Sequence, residues 1–342
     1  MPSEDYDKLN RFKWLKYETE GREKMRKSLC ILAAAALLLA LAACGAKEEK
    51  NDTVYTVGIC QLAQHEALDL ATQGFMDALN EALPGQVEFD NENASNELAA
   101  CSGIVNQFVA AEVDLILANA TPALQVASAA TVEIPILSTS VTEYGVAMGI
   151  EDFDGVVGGN VSGTSDLAAL DEQAEMIKAW FPEAEKIGLL YCSSEANSRY
   201  QVDNIKAELE ALGCECTFYP FTDSNDLSAV TEGAAANSDV IYVPTDNTIA
   251  ANAAIIDNVC SVAGVPVMGG DSGICASCGV AALSISYYDL GVATGKMAAR
   301  ILTGEAEISQ IPVEYAEAEK VYNPAACERL GLTPVAGYTA LD

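Results

Sequence analysis

Short apolar runs rich in β-branched residues alternate along the chain with stretches whose apolar residues recur every three or four positions. Thr53–Cys60 has the first of these runs and predicts a strand, and the next stretch predicts a helix over Ala67–Leu83. Alternation of this kind is typical of βαβ units and parallel sheets. It predicts further strands at Gln86–Asp90, Asp114–Ala118, Ile134–Ser138, Tyr144–Ile150, Lys186–Tyr191, Glu215–Tyr219, Asp239–Val243 and Val265–Met268.

The alternation runs through two successive series of similar length, which predicts an α/β protein with two doubly wound parallel-sheet lobes. Three crossovers are expected to join them, near Val157–Gly163, Ser284–Tyr287 and Glu307–Ile311. The first lobe is therefore expected to hold residues 53–160 and 287–308, and the second lobe residues 161–286 and 309–342.

Ligands of open parallel sheets bind beyond the carboxyl ends of the strands, so the loops that follow strands are candidate binding loops. They are rich in hydroxyl, amide and carboxylate groups, and each such group could instead cap a helix. His65, the one histidine of the chain, is either a cap or surface residue or a group in the cleft. The candidate ligand contacts are Gln61, His65, Thr121, Ser140, Thr142, Tyr144, Glu195, Asn197, Asp246, Asn247 and Asp271.

The N-terminal part carries an apolar run, Leu29–Ala43, that follows Arg26 and Lys27. It is shorter than the roughly 20 residues a membrane-spanning helix needs, and its basic flank is typical of an export signal. The sequence LAACG at 41–45 resembles a lipobox, so we expect an acyl anchor on Cys44 at the extracytoplasmic face of the cell membrane. A chance cysteine or an uncleaved anchor helix are the alternatives.

The signal fits best when it begins at Met25. Residues 1–24 are then a non-native or disordered extension, residues 25–43 the signal peptide and residues 44–52 a polar tether.

Charge excludes one class of partner. Residues 1–43 hold 8 Lys+Arg and 6 Asp+Glu, so residues 44–342 carry 10 basic and 44 acidic side chains, a net charge of −34. A surface of this sign repels phosphate backbones, and we expect no nucleic-acid binding.

Motifs of catalysis are missing from the sequence: it has no G-x-S-x-G, no G-x-x-x-x-G-K-[ST] and no G-x-G-x-x-G after a strand. We therefore expect no enzyme and no cofactor. Cys275 and Cys278 have C-x-x-C spacing without a second pair or a nearby histidine, which disfavours a metal site and leaves a disulfide or two free thiols. Nine cysteines follow Cys44, so at least one cannot pair within the chain.

Seven ordered segments carry a family resemblance: VGICQLAQHEALDLATQGFMDAL at 57–79, ANATPA at 118–123, PILSTSVTEYG at 135–145, NVSGTSD at 160–166, KIGLLYCSSEANS at 186–198, IYVPTDNTI at 241–249 and SYYDLGVATGKMAARILTGE at 286–305. With them, residues 53–335 resemble the ABC transporter substrate-binding proteins of the tryptophan/tyrosine type. The resemblance implies the type I periplasmic binding protein-like fold, a monomer, a small-molecule ligand and an ABC permease as partner.

An aromatic amino acid is the ligand that this resemblance implies. Its carboxylate would be held by the hydroxyls of Thr121, Ser140 and Thr142 and by helix N-terminal amides, and its ammonium by Asp246 or Asp271. Its ring would rest on an apolar wall or on Tyr144. Other amino acids, purine-like solutes and sugars remain alternatives, as do a ligand-sensing receptor of the same fold and a hydrolase using His65.

Overall fold

A computed structural model describes residues 53–341 of the chain. The predicted extension, signal, Cys44 anchor and tether all lie outside the described residues. Within residues 53–341, no helix is long and apolar enough to cross a membrane.

The first lobe is built on a six-stranded parallel sheet with the strand order β11-β5-β4-β3-β1-β2. Its elements are β1 (Tyr55–Gln61), α1 (Glu66–Ala82), β2 (Val87–Asn93), α2 (Leu98–Ala110), β3 (Leu115–Asn119), α3 (Thr121–Ala130), β4 (Ile136–Val141), α4 (Tyr144–Met148), β5 (Val161–Ser165), α11 (Tyr287–Leu302) and β11 (Glu314–Tyr315).

The second lobe is built on a seven-stranded sheet with the order β13-β12-β10-β9-β8-β6-β7, in which only the β10–β12 pair of these described strands is antiparallel. Its elements are α5 (Leu170–Trp180), β6 (Lys186–Cys192), α6 (Ala196–Ala211), β7 (Glu215–Phe221), α7 (Leu227–Asn237), β8 (Val240–Val243), α8 (Asn247–Ala250), α9 (Ala253–Ala263), β9 (Val267–Gly269), α10 (Ser272–Cys278), β10 (Ala281–Ser284), β12 (Glu319–Tyr322), α12 (Pro324–Leu330) and β13 (Thr339–Ala340).

Both sheets repeat one topology, because β2-β1-β3-β4-β5 in the first lobe corresponds to β7-β6-β8-β9-β10 in the second. In this doubly wound order, the direction in which successive strands are added to the sheet reverses between β1 and β3 in the first lobe and between β6 and β8 in the second. The central strands are apolar on both faces, as in β3, where all five residues are buried. The predicted α/β architecture with two doubly wound lobes is confirmed.

One predicted strand is wrong. Tyr144–Ile150 contains the short helix α4, whose first amides, of Gly145 and Val146, donate to the carboxylate of Glu143. A segment of seven residues is too short for its apolar period to separate a strand from a helix of one or two turns, and the capping carboxylate decides it.

The lobe boundaries also differ from the expected ones. Val161–Ser165, expected in the second lobe, forms β5 of the first sheet, and Glu314–Tyr315 pairs with it. The chain therefore crosses between the sheets at residues 166–169, 285–286 and 316–318. Strand partners, which a single segment of sequence does not reveal, set the first and third of these positions.

Candidate ligand-binding site between the lobes

A small cavity of about 10 Å³, room for about one water molecule, lies where the carboxyl ends of the two sheets face each other. Loops after strands of both lobes supply its walls, as the doubly wound topology predicts. It is lined by His65, Leu68, Ser140 and Thr142 of the first lobe, by Asn197, Thr245, Asp246, Asn247, Ala250 and Asp271 of the second, and by Asp166 and Tyr287 where the chain crosses.

Ser140 is directed into this cavity by an irregularity in β4. Ser138 pairs with Gly163 and Val141 with Ser165, so two residues of β4 lie opposite Thr164 alone. Ser140 takes a left-handed conformation at φ 56°, which is strained for a residue other than glycine. Bulges of this kind re-aim side chains next to functional sites.

Two carboxyl groups share the cavity with a tyrosine hydroxyl. Tyr287 donates to Asp166 Oδ2 over 3.0 Å, and Asp166 and Asp271 are both almost fully buried. Burial raises the pKa of Asp166. Burial, with smaller contributions from the charges of Asp166 and Glu66, raises the pKa of Asp271 to about 6.

Several polar atoms of the lining have no hydrogen-bond partner, although buried polar atoms in folded proteins are almost always paired. They are Ser140 Oγ, Asp166 Oδ1 and Asn197 Oδ1. No lysine or arginine is among the described lining residues. Arg199, the basic residue closest to a candidate loop in sequence, instead bonds Asp203 and Tyr191 at the surface. The cavity is thus polar, acidic and under-satisfied, which suits a ligand that carries a cation.

Two predicted contacts, Glu195 and Asp246, use their carboxylate oxygens to hold the second lobe together. The carboxylate of Glu195 accepts the backbone amides and side-chain groups of Asn247 and Thr248 over 2.7–3.1 Å. Asp246 lines the cavity, but its two oxygens accept the amides of Cys192 and Ile249. Burial raises the pKa of Asp246 well above its ordinary value.

Like Glu195, three other predicted contacts do not line the cavity. The side-chain amide of Gln61 donates to Ala63 and Asp69 and accepts from Thr72, all within the first lobe. Tyr144 is fully buried beneath the sheet, where its hydroxyl bonds Ser138 and Thr164. Thr121 is buried at the start of α3, with Oγ1 unpaired but away from the lining. The cavity does bring together His65, Ser140, Thr142, Asn197, Asp246, Asn247 and Asp271.

Sequence reasoning missed Asp166, Thr245 and Tyr287. Asp166 directly follows β5, and the rule that loops after strands bind ligands would have found it had Val161–Ser165 been predicted as a strand. Tyr287 begins α11 just after a crossover, where the two connecting segments meet. No local signal marks it.

Comparison with known proteins agrees with this geometry. The family model for ABC transporter substrate binding proteins matches residues 56–335. The chain belongs to this family of substrate-binding proteins. A curated relative, the tyrosine-binding protein of Clostridioides difficile, is 34% identical over 273 residues, which cover 78% of this chain and 76% of the relative.

Two solved structures are similar along most of this substrate-binding protein. One is a Streptococcus pneumoniae ABC domain in complex with L-Trp, with a TM-score of 0.80, 30% identity, and coverage of 84% of this chain and 100% of that one. The other is a ligand-free, open substrate-binding protein with adhesive properties from Clostridium difficile, with a TM-score of 0.65, 33% identity, and coverage of 84% and 99%.

The family assignment confirms several expectations. The chain is an extracytoplasmic solute-binding protein of an ABC transporter, with the type I periplasmic binding protein-like fold, and it is not an enzyme.

Proposed function

We propose that this substrate-binding protein captures a zwitterionic amino acid, with tyrosine or tryptophan as the first candidates, in the cavity between its lobes. It then delivers the amino acid to an ABC permease while an acyl chain on Cys44 keeps it at the membrane. Asp166 carries the proposal, because its buried Oδ1 has no partner and no basic side chain of the described lining neutralises it.

The ammonium group is the part of the ligand that the cavity suits best. A buried carboxylate oxygen without a partner, such as Asp166 Oδ1, is costly, and an ammonium brought between Asp166 and Asp271 removes that cost through charge-assisted hydrogen bonds. This moves the ammonium site from Asp246, whose oxygens are engaged by backbone amides, to the Asp166–Asp271 pair.

The ligand carboxylate has a different set of partners. Ser140 Oγ is buried without a partner, and the hydroxyl residue Thr142 is buried beside it. Hydroxyl donors in place of a basic side chain hold an anion weakly, so the ammonium contributes most of the charge recognition.

The side chain of the ligand has Leu68 and Ala250 as its apolar wall, since Tyr144 is buried elsewhere. A cavity of about 10 Å³ is far smaller than an aromatic ring, so side chains and loops of the lining must shift to admit tyrosine. The higher TM-score to the tryptophan complex than to the open, ligand-free protein supports a nearly closed arrangement of the lobes.

Calorimetric titration of the full chain with tyrosine, tyramine and 3-(4-hydroxyphenyl)propanoate tests the ligand chemistry. Tyrosine should bind, tyramine should retain part of the affinity, and the propanoate, which lacks the ammonium, should not bind. Asp166→Asn should weaken tyrosine binding roughly 100-fold, because it leaves the ammonium without its charged partner. The exposed Asp171→Asn is the matched control. Equal binding of tyrosine and the propanoate would refute the ammonium site.

A thermal-shift screen with other amino acids, nucleosides and sugars tests the choice of ligand, since a ligand stabilises the folded protein in proportion to its occupancy. No shift with tyrosine, tryptophan or phenylalanine at millimolar concentration would remove the aromatic candidates. For the anchor, Cys44→Ser should release the protein from the membrane fraction of the producing cells, whereas Cys30→Ser should not.

A further inference from the structure

We propose that Cys60 and Cys101 form a disulfide in the exported protein. Their sulfur atoms lie 3.2 Å apart in the core of the first lobe, where both side chains are fully buried. A disulfide has an S–S distance of about 2.05 Å, so a movement of about 1.1 Å closes the gap.

The two cysteines lie just inside the rim of the cleft. Cys60 is the second-last residue of β1, and the loop after it carries His65 into the cavity. Cys101 lies in the first turns of α2, and the turn before this helix carries Asn96, which donates to Thr248 of the other lobe over 3.0 Å. A bond between the sulfurs would tie together the bases of two first-lobe loops that reach the second lobe.

The compartment supplies the chemistry. The family is extracytoplasmic, and disulfides form and persist outside the cytoplasm. Each thiol loses one hydrogen, and a disulfide donor of that compartment accepts both hydrogens and is reduced to two thiols. Because the folded protein shields both sulfurs completely, this exchange takes place during folding.

The C-x-x-C pair provides a contrast within the same chain. Cys275 and Cys278 lie one turn apart on α10, and the Cys278 thiol donates to the carbonyl of Ile274 over 3.4 Å. The helix places these two side chains one above the other along its axis, and the Cys278 sulfur is hydrogen-bonded to the backbone. The sequence left open whether Cys275 and Cys278 form a disulfide or stay as two free thiols, and we expect free thiols. This pair therefore supplies a matched control.

Peptide mapping of the full chain, exported into a bacterial periplasm, tests the bond. The protein is unfolded in denaturant with iodoacetamide and without reductant, then digested for mass spectrometry. Of the nine cysteines after Cys44, seven should be alkylated, and the peptides of Cys60 and Cys101 should be joined with the loss of two hydrogens. Alkylation of all nine, or a bond between any other pair, would overturn the proposal.

Thermal unfolding supplies a second readout. The bond closes a loop between residues 41 positions apart and so stabilises the folded protein. Protein that is reduced in denaturant and then refolded in the presence of reductant should therefore have a Tm lower by roughly 5–10 °C. The double variant C60S/C101S should have an unfolding temperature that reductant does not change, whereas C275S/C278S should keep the effect. An equal response of the wild type and C60S/C101S to reductant would contradict the bond even if serine disturbs the core.

Discussion

His65 and Asn247 connect the two lobes through one hydrogen bond, with His65 Nε2 3.3 Å from Asn247 Oδ1. The amide nitrogen of Asn247 donates to the carboxylate of Glu195 over 2.7 Å, so its oxygen must face the imidazole. His65 therefore donates from Nε2, and Glu195 selects this tautomer from the opposite lobe. Burial lowers the pKa of His65, which keeps the ring neutral at pH 7.

Replacing His65 by alanine should weaken ligand binding about 5-fold, because a neutral hydrogen bond that exists only between closed lobes contributes about 1 kcal/mol. The loss should appear as faster dissociation, measured by stopped-flow fluorescence alongside calorimetry. Glu81→Ala, on the exposed face of the same helix α1, is the control. Wild-type affinity in His65→Ala would show that the contact does not contribute to closure.

Glu195→Gln should lower the free energy of unfolding by about 2 kcal/mol, since a carboxylate that accepts the amides of Asn247 and Thr248 is replaced by an amide with its own hydrogens to place. Ligand binding should weaken as well, because Asn247 loses the partner that orients it towards His65. Denaturant unfolding and calorimetry check the two effects. Glu208→Gln, exposed on the same helix α6, should change neither.

Acidification should weaken capture of an amino acid. The pKa of Asp271 is about 6, and an ammonium ligand pairs with the ionised form, so affinity should rise as the pH goes from 5 to 7 and then level off. Titrations at several pH values in one buffer series measure this. In Asp271→Asn, which can still cap α10, the part of the pH dependence due to this carboxyl should disappear.

The stability of the empty protein should change with pH in the opposite direction. Because the pKa of Asp271 in the folded state lies above its ordinary value, the contribution of this group to stability is complete below about pH 3.8 and is lost as the pH rises through about 6. Asp271→Asn should therefore raise the Tm of the empty protein more at pH 7 than at pH 5. Equal changes at the two pH values would argue against a raised pKa.

Gly291→Ala should destabilise the contact between α11 and α1. A Cβ at Gly291 would clash with the carbonyl oxygen of Ala71, and the backbone there cannot yield without separating the helices. We expect a loss of about 3 kcal/mol in denaturant unfolding. Gly103→Ala, in the middle of α2 with open space around its Cβ position, should instead stabilise by up to about 1 kcal/mol.

The site was predictable where its residues follow strands that the apolar pattern reveals. His65, Ser140 and Asp271 follow or end such strands, and topology alone places them at one edge of their sheets. Tyr144 satisfies the same rule and yet lies in the core, because α4 turns it beneath the sheet towards Ser138. A position in a loop fixes neither the direction of a side chain nor its partners.

The α/β class, the two doubly wound lobes and most of the loops that line the cleft could be predicted from the chain alone, since these depend on apolar periodicity and on the shared direction of parallel strands. Which carboxylates remain available to a ligand depends instead on contacts made in the folded protein. Asp246 and Glu195 accept hydrogen bonds from amides distant in sequence, whereas Asp166 lines the cavity with one oxygen, Oδ1, that has no hydrogen-bond partner. Hydrogen bonds between residues far apart in the chain make that distinction, and no local pattern encodes them.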